Sequence, residues 1–191
     1  MILVIDTSSS VAVVATISED TVSETVMSSR DPELIAYLRS IARDKTITRV
    51  AVATGPGSFT GLRVGVSFGL GLAIGLRIPI VPLPTLELQA ARSDEPVTAI
   101  AEAGRGRFYY LVSGGELALG EPAVIPTSHQ LVGRLVPAAE AALLTAGHRF
   151  KPEGELQSFG NAAAQLLKTA REVPYGSLKL QYMQSFAAPA K

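Results

Sequence analysis

Three places in this chain bring together residue types that do chemistry elsewhere. The first is Asp6-Thr7-Ser8, directly after a short apolar run. An aspartate there can hold magnesium and phosphate, or it can fold a turn by accepting from its own backbone two residues on. Phosphate-handling loops put a glycine after the aspartate so that backbone can approach the anion, and here Thr7 follows, which favours the turn former. The second is Gly55-Pro56-Gly57-Ser58, between an apolar run and a long glycine-rich stretch. Exposed N–H groups at a helix start suit an anion. A phosphate-binding P-loop, however, needs a lysine and Ser/Thr after its second glycine, and Gly61 is followed by Leu62-Arg63. Asp6, Thr7, Ser8, Gly55 and Gly57 are therefore candidate nucleotide ligands, with a structural turn as the stronger reading. The third set is His129 and His148, which are too far apart to share one helical face as a metal pair. No metal ligand set is expected, and both histidines read as surface residues, His129 in the first turn of a helix. Ser58 has no assignable base or orienting acid, so a serine protease is not expected either.

The elements that must position these residues follow from pattern. Ile2–Ile5, Val11–Ile17 and Thr21–Met27 are short β-branched runs separated by turn residues, which predicts an antiparallel meander. Asp31-Pro32-Glu33 announces a helix from Pro32 to Arg43. Val50–Thr54 is a strand, and the glycine turn leads into a helix over Ser58–Leu76. A strand over Ile78–Val81 is closed by Pro82 and Pro84, and a helix capped by Thr85 runs to Arg92. The second half predicts strands over Val97–Ala101, Phe108–Ser113 and Glu116–Leu119, with Gly114-Gly115 as a tight hairpin. Thr127–Gln130 fits a capping box before a helix carrying Leu131, Leu135 and Val136. Ala141–Thr145 reads as strand, and Phe159–Val173 as helix. Two successive blocks of strands then helices suggest a duplicated α/β unit with a boundary near Glu95 and a leaner second copy.

Composition narrows the function. The chain has 191 residues, 47% hydrophobic, with 17 basic and 17 acidic side chains and no cysteine. Zero net charge points away from a protein that grips RNA by itself, because phosphate neutralisation supplies most such affinity. The absence of cysteine excludes disulfides, thiolate metal sites and a cysteine nucleophile. The opening MILVIDTSSS lacks a basic leader pattern. The apolar run Val64–Leu76, at roughly 13 residues, falls short of the ~20 needed to span a bilayer. A soluble cytoplasmic protein is expected.

Glycine spacing is the remaining clue. Gly61, Gly65 and Gly69 recur every fourth residue on one helical face. Each mid-helix glycine costs about 1 kcal/mol against alanine, so the face must lie close to another backbone. Because this helix is apolar nearly all round, a face is left over after one side covers a sheet. That predicts a partner-docking surface from two helices: Leu34, Tyr37, Leu38 and Ile41 on the first, and Gly61, Val64, Gly65, Phe68, Gly69 and Leu72 on the second.

The block GPGSFTGLRVG, its apolar helix and the PIVPLPTLE stretch after it resemble the TsaB (YeaZ-type) family. ILVIDTSSSVAVVA is similar to that family's first hairpin, and AIAEAGRGRFYY to the hairpin of its second half. The resemblance implies an α/β fold of two RNase-H-like halves of the actin/Hsp70/sugar-kinase (ASKHA) type, residues 1–95 and 96–191. It implies a non-catalytic subunit of the tRNA N6-threonylcarbamoyladenosine machinery, despite older glycoprotease labels. Its implied partners are a TsaD-type catalytic paralogue and a TsaE-type ATPase, with a homodimer in isolation and tRNA met only through the complex. No cofactor is implied for the chain alone, while ATP at the complex interface is. Arg30-Asp31 in place of a histidine-bearing segment, and Glu102 in place of an aspartate, depart from the family habit. From the residues alone, an ATP-dependent phosphotransferase built on Asp6 and the Gly55–Gly57 turn is the alternative.

Overall fold

The computed structural model describes residues 1–19, 21–44 and 46–181. Its first sheet has five strands, β1 (Ile2–Asp6), β2 (Val11–Ser18), β3 (Thr21–Ser28), β4 (Arg49–Ala53) and β5 (Ile80–Leu83), in the order β3-β2-β1-β4-β5. β1, β2 and β3 form the expected antiparallel meander, and β4 and β5 add in parallel beside β1. Parallel neighbours need a crossover, and the helix α2 (Phe59–Leu76) supplies it between β4 and β5. The helix α1 (Leu34–Asp44) lies on the same sheet, with Leu34, Leu38 and Ile41 in one core beside Leu3, Ile5, Val14 and Val52. β5 extends through Pro82, which stands opposite Val52 rather than closing the strand. The short helix α3 (Thr85–Ala90) follows. Thr85 does not cap it; its hydroxyl accepts from the Gly55 N–H at 3.1 Å.

The second sheet has four strands, β6 (Thr98–Gly104), β7 (Arg107–Val112), β8 (Leu117–Gly120) and β9 (Leu131–Val132), in the order β8-β7-β6-β9. The expected helix after Thr127–Gln130 is not there. Leu131 and Val132 pair in parallel with Thr98 and Ala99 instead, so sheet pairing overrode a local capping signal. The helix begins at Pro137, whose fixed φ suits a first helical position. This α4 (Pro137–Thr145) contains Ala141–Thr145, read from sequence as strand. His129 therefore lies outside any helix. His148 is not a surface residue: it is 4% exposed, with Nε2 2.9 Å from the Pro122 carbonyl.

Residues near the end of the chain cross back to the first sheet. The helix α5 (Phe159–Leu166) is shorter than the Phe159–Val173 expected. It packs Phe159, Ala162 and Ala163 against Val4, Val13, Ala15 and Val81. Beyond it, the Val173 N–H donates to Ile80 O at 3.1 Å and the Gln181 N–H to Thr54 O at 2.8 Å. A division into residues 1–95 and 96–191 thus assigns α5 to the wrong half, because its apolar face completes the core of the first.

Candidate functional site

Two sheets meeting edge to face leave a cleft of about 580 Å³ between them. One wall is the loop after β1, with Ser8, Ser9 and Ser10, and the start of α2, with Gly57, Ser58 and Phe59. The other wall is Glu102 to Gly104 of β6, Tyr109 of β7, and Arg134 and Val136 after β9. Arg30, in the turn before α1, lies at the rim.

The first wall is built by the residues singled out from sequence. Asp6 accepts from the Ser8 N–H at 2.8 Å, which is the predicted turn. Its carboxyl is buried, and burial pushes its pKa above the ordinary carboxylate value against the opposing pull of Ser8 and the Arg134 charge. A buried carboxyl that keeps its proton is a poor magnesium ligand. The Ser58 N–H donates to Ser8 O at 2.6 Å, locking the two turns together. Asp6, Thr7, Ser8 and Gly57 therefore come together, but only Ser8 and Gly57 of these line the cleft. Gly55 does not join them: its backbone pairs with Thr85, and its Cα faces Gln181. The Ser58 hydroxyl accepts from the Gly61 N–H, so it caps α2 and is not a poised nucleophile.

Arg134 is the cleft residue that sequence reasoning missed, since one arginine in LVGRLVP carries no spacing signal. Its Nη2 lies 3.4 Å from Glu153 Oε1, while its buried Nη1 has no hydrogen-bond partner. Glu153 is held more firmly by Arg92, whose Nη2 donates to both carboxylate oxygens at 2.8 Å. Burial raises the Glu153 pKa, but Arg92 and Arg134 outweigh it and hold the carboxyl below its ordinary value. Glu102, the one carboxylate on the wall, accepts from the Val136 N–H at 2.8 Å. Hydroxyls, two arginines and an unpartnered guanidinium nitrogen suit an anion. Among the described residues, no group of three or more His, Asp or Glu could hold a metal ion.

The helix pair is the second candidate. Leu34, Leu38 and Ile41 are 2%, 0% and 5% exposed, so they face their own sheet and cannot meet a partner. Gly65 and Gly69 face inward too: a Cβ on Gly65 would meet the Thr7 hydroxyl, and one on Gly69 would meet Val52. Gly61 lies against the Thr7 carbonyl in the same way. The backbone that these glycines approach is therefore the chain's own β1 edge. Val64 stays 38% exposed, and Phe68 and Leu72 are half-buried, beside a groove of about 510 Å³ that also includes Arg39, Ala42, Arg43, Ser67 and Gly71. Tyr37 is half-buried, its hydroxyl 2.6 Å from that of Thr25. By length and composition alone α2, at 18 residues, is apolar enough to cross a membrane, which corrects the shorter apolar run read from sequence. Here it is the crossover of a parallel strand pair, with Leu62, Gly65, Gly69 and Ala73 packed on the sheet.

A family model described as TsaD, tRNA N6-adenosine threonylcarbamoyltransferase, matches residues 36–180. The chain belongs to that family. Among curated proteins it is similar to the tRNA threonylcarbamoyladenosine biosynthesis protein TsaB of Bacillus subtilis, 34% identical over 56% of this chain and 52% of that one. It is also similar to Escherichia coli TsaB, 35% identical over 34% of this chain and 30% of that one. The chain thus spans about half the length of the Bacillus relative in this match. Among solved structures, YeaZ from Pseudomonas aeruginosa superimposes with a TM-score of 0.69 at 18% identity, covering 95% of this chain and 99% of that one. A second Pseudomonas aeruginosa structure, described as similar to the peptidase YeaZ, gives 0.72 at 20% identity, over 96% and 99%. These likenesses bear out the fold: two mixed sheets flanked by helices, of the RNase-H-like, ASKHA type.

Proposed function

We propose that this chain is a non-catalytic subunit of the machinery that places threonylcarbamoyl on tRNA adenosine. It docks a TsaD-type catalytic paralogue through the outer faces of α1 and α2. The observation that carries this reading is the apolar surface left on α2 after its glycine face has filled the sheet: Val64 and Ile74 are 38% and 50% exposed, with Phe68 and Leu72 between them. A contiguous apolar surface of this kind is stabilised by a partner. The TsaB relatives support the same system, and a TsaE-type ATPase, cytoplasmic location and tRNA contact only through the complex follow from the reading. In isolation a second copy is the default occupant.

The test is tRNA modification by the catalytic subunit with and without this chain, and with Phe68→Glu. Burying an unpaired carboxylate should abolish docking, so Phe68→Glu should behave as if no chain were added. Equal modification without the chain overturns the proposal.

A second reading concerns the cleft, where the unpartnered Nη1 of Arg134 favours a phosphate-bearing ligand. The residues fit a phosphate better than a bound metal, because Asp6 is buried and holds its proton. ATP at the interface of the complex would rest there on Arg134 and the hydroxyls of Ser9 and Ser10. Calorimetry with ATP, on the chain alone and in complex, tests it: heat only in the complex fits this reading. Tight binding by the chain alone favours the phosphotransferase, and silence in both overturns either.

A further inference from the structure

The rim of the α1/α2 groove carries charge of one sign. Arg39 and Arg43 stand on it, both exposed, above a floor of Ala42, Phe68, Gly71 and Leu72. Neither arginine has an ion-pair partner among the described residues. Across both helices the sequence has one carboxylate, at Asp44, the last residue of α1. In a chain whose 17 basic and 17 acidic groups balance, this face is locally basic.

Symmetry gives that imbalance a consequence. A second copy docking on this face would do so about a two-fold axis, so the same patch comes from each side. Arg39 and Arg43 of both copies would then surround one apolar floor, and the groove offers no carboxylate to answer them. Like charges brought together as water leaves oppose association, whereas a rim of opposite sign adds attraction and orients the encounter. We propose that the groove is charge-selective: it takes a partner helix surface with an apolar centre and an acidic rim, and it resists a second copy of this chain. The claim rests on the docking reading above and names the chemistry that the partner must show.

The experiment uses the full chain and the purified TsaD-type catalytic subunit as the probe. The dissociation constant should rise about tenfold or more from 50 to 500 mM salt as screening removes the rim attraction. Arg39→Glu/Arg43→Glu should weaken binding about thirtyfold at 50 mM and far less at 500 mM. Both side chains are exposed, so circular dichroism and Tm should not change. Self-association, followed by sedimentation equilibrium, should do the reverse and strengthen with salt. An equal mixture of wild type and the double variant should pair at low salt more tightly than either does alone. Salt-independent binding to the catalytic subunit, together with a wild-type affinity for the double variant, overturns the proposal. So does a mixture that pairs no better than its components. If the wild type fails to bind the catalytic subunit at any salt, the docking reading falls, and the mixture still decides the charge selectivity.

Discussion

The contact between Thr7 and α2 can be tested quantitatively. The Thr7 hydroxyl donates to Gly61 O at 2.7 Å and accepts from the Gly65 N–H at 3.1 Å, so it sits astride one rung of the helix. A methyl group on Gly65 would collide with that oxygen and would have Ile5 Cγ2 as its next neighbour at 3.3 Å. In a bare helix Gly→Ala stabilises by about 1 kcal/mol. Here Gly65→Ala should also forfeit two hydrogen bonds, about 1 kcal/mol each, and overpack the interface by about 1–3 kcal/mol. The net expectation is a loss of about 2–4 kcal/mol, from the same terms. Thr7→Ala alone should cost about 1–2 kcal/mol. Combined, the two should cost no more than Thr7→Ala, because the obstructing oxygen is gone, giving a coupling of at least ~2 kcal/mol. Urea unfolding of the four proteins in a double-mutant cycle measures it. If Gly65→Ala stabilises the fold, or if the two changes simply add, the close approach of helix to strand is not what the glycine is for.

Other expectations follow from neighbouring geometry. Gly71 and Gly75 have nothing within 4 Å of a would-be Cβ, so Gly71→Ala and Gly75→Ala should each stabilise by about 0.5–1 kcal/mol in the same unfolding assay. Asp6 has a raised native pKa, so the stability it contributes is full below the ordinary carboxylate pKa and is lost as pH rises through the native value. Asp6→Asn keeps an acceptor for the Ser8 N–H and removes that loss, so its Tm should gain on the wild type as pH rises from about 4 to about 8. Glu153 has the opposite sign: its lowered pKa contributes stability above the ordinary glutamate value, and that stability disappears as pH falls through the lowered one. Glu153→Gln should therefore fall below wild type near neutrality and converge with it in acid, read as Tm against pH.

Much of the first sheet was legible because its signals are local. The meander, the Ser58 cap and the helix over Phe59–Leu76 each rest on residues within a few positions of one another. The Asp6 turn is of the same kind, one side chain reaching its own backbone two residues on. The region from Thr127 to Thr145 misled because its local and distant preferences conflict. A capping box favours a helix, but Leu131 has a place beside Thr98, more than thirty residues back in the chain.

From the residue order alone came the element types of the first half, the lack of a paired-histidine site and the existence of an apolar, glycine-notched helix. Only the tertiary structure decided which way that helix faces. Spacing every fourth residue defines a stripe but not its neighbour, and the neighbour proved to be the chain's own β1 edge. The cleft likewise needed the fold, because Ser8, Glu102 and Arg134 lie far apart in the chain and share a wall only once two sheets meet. Which carboxyl keeps its proton was settled by burial, a property that no list of residues contains.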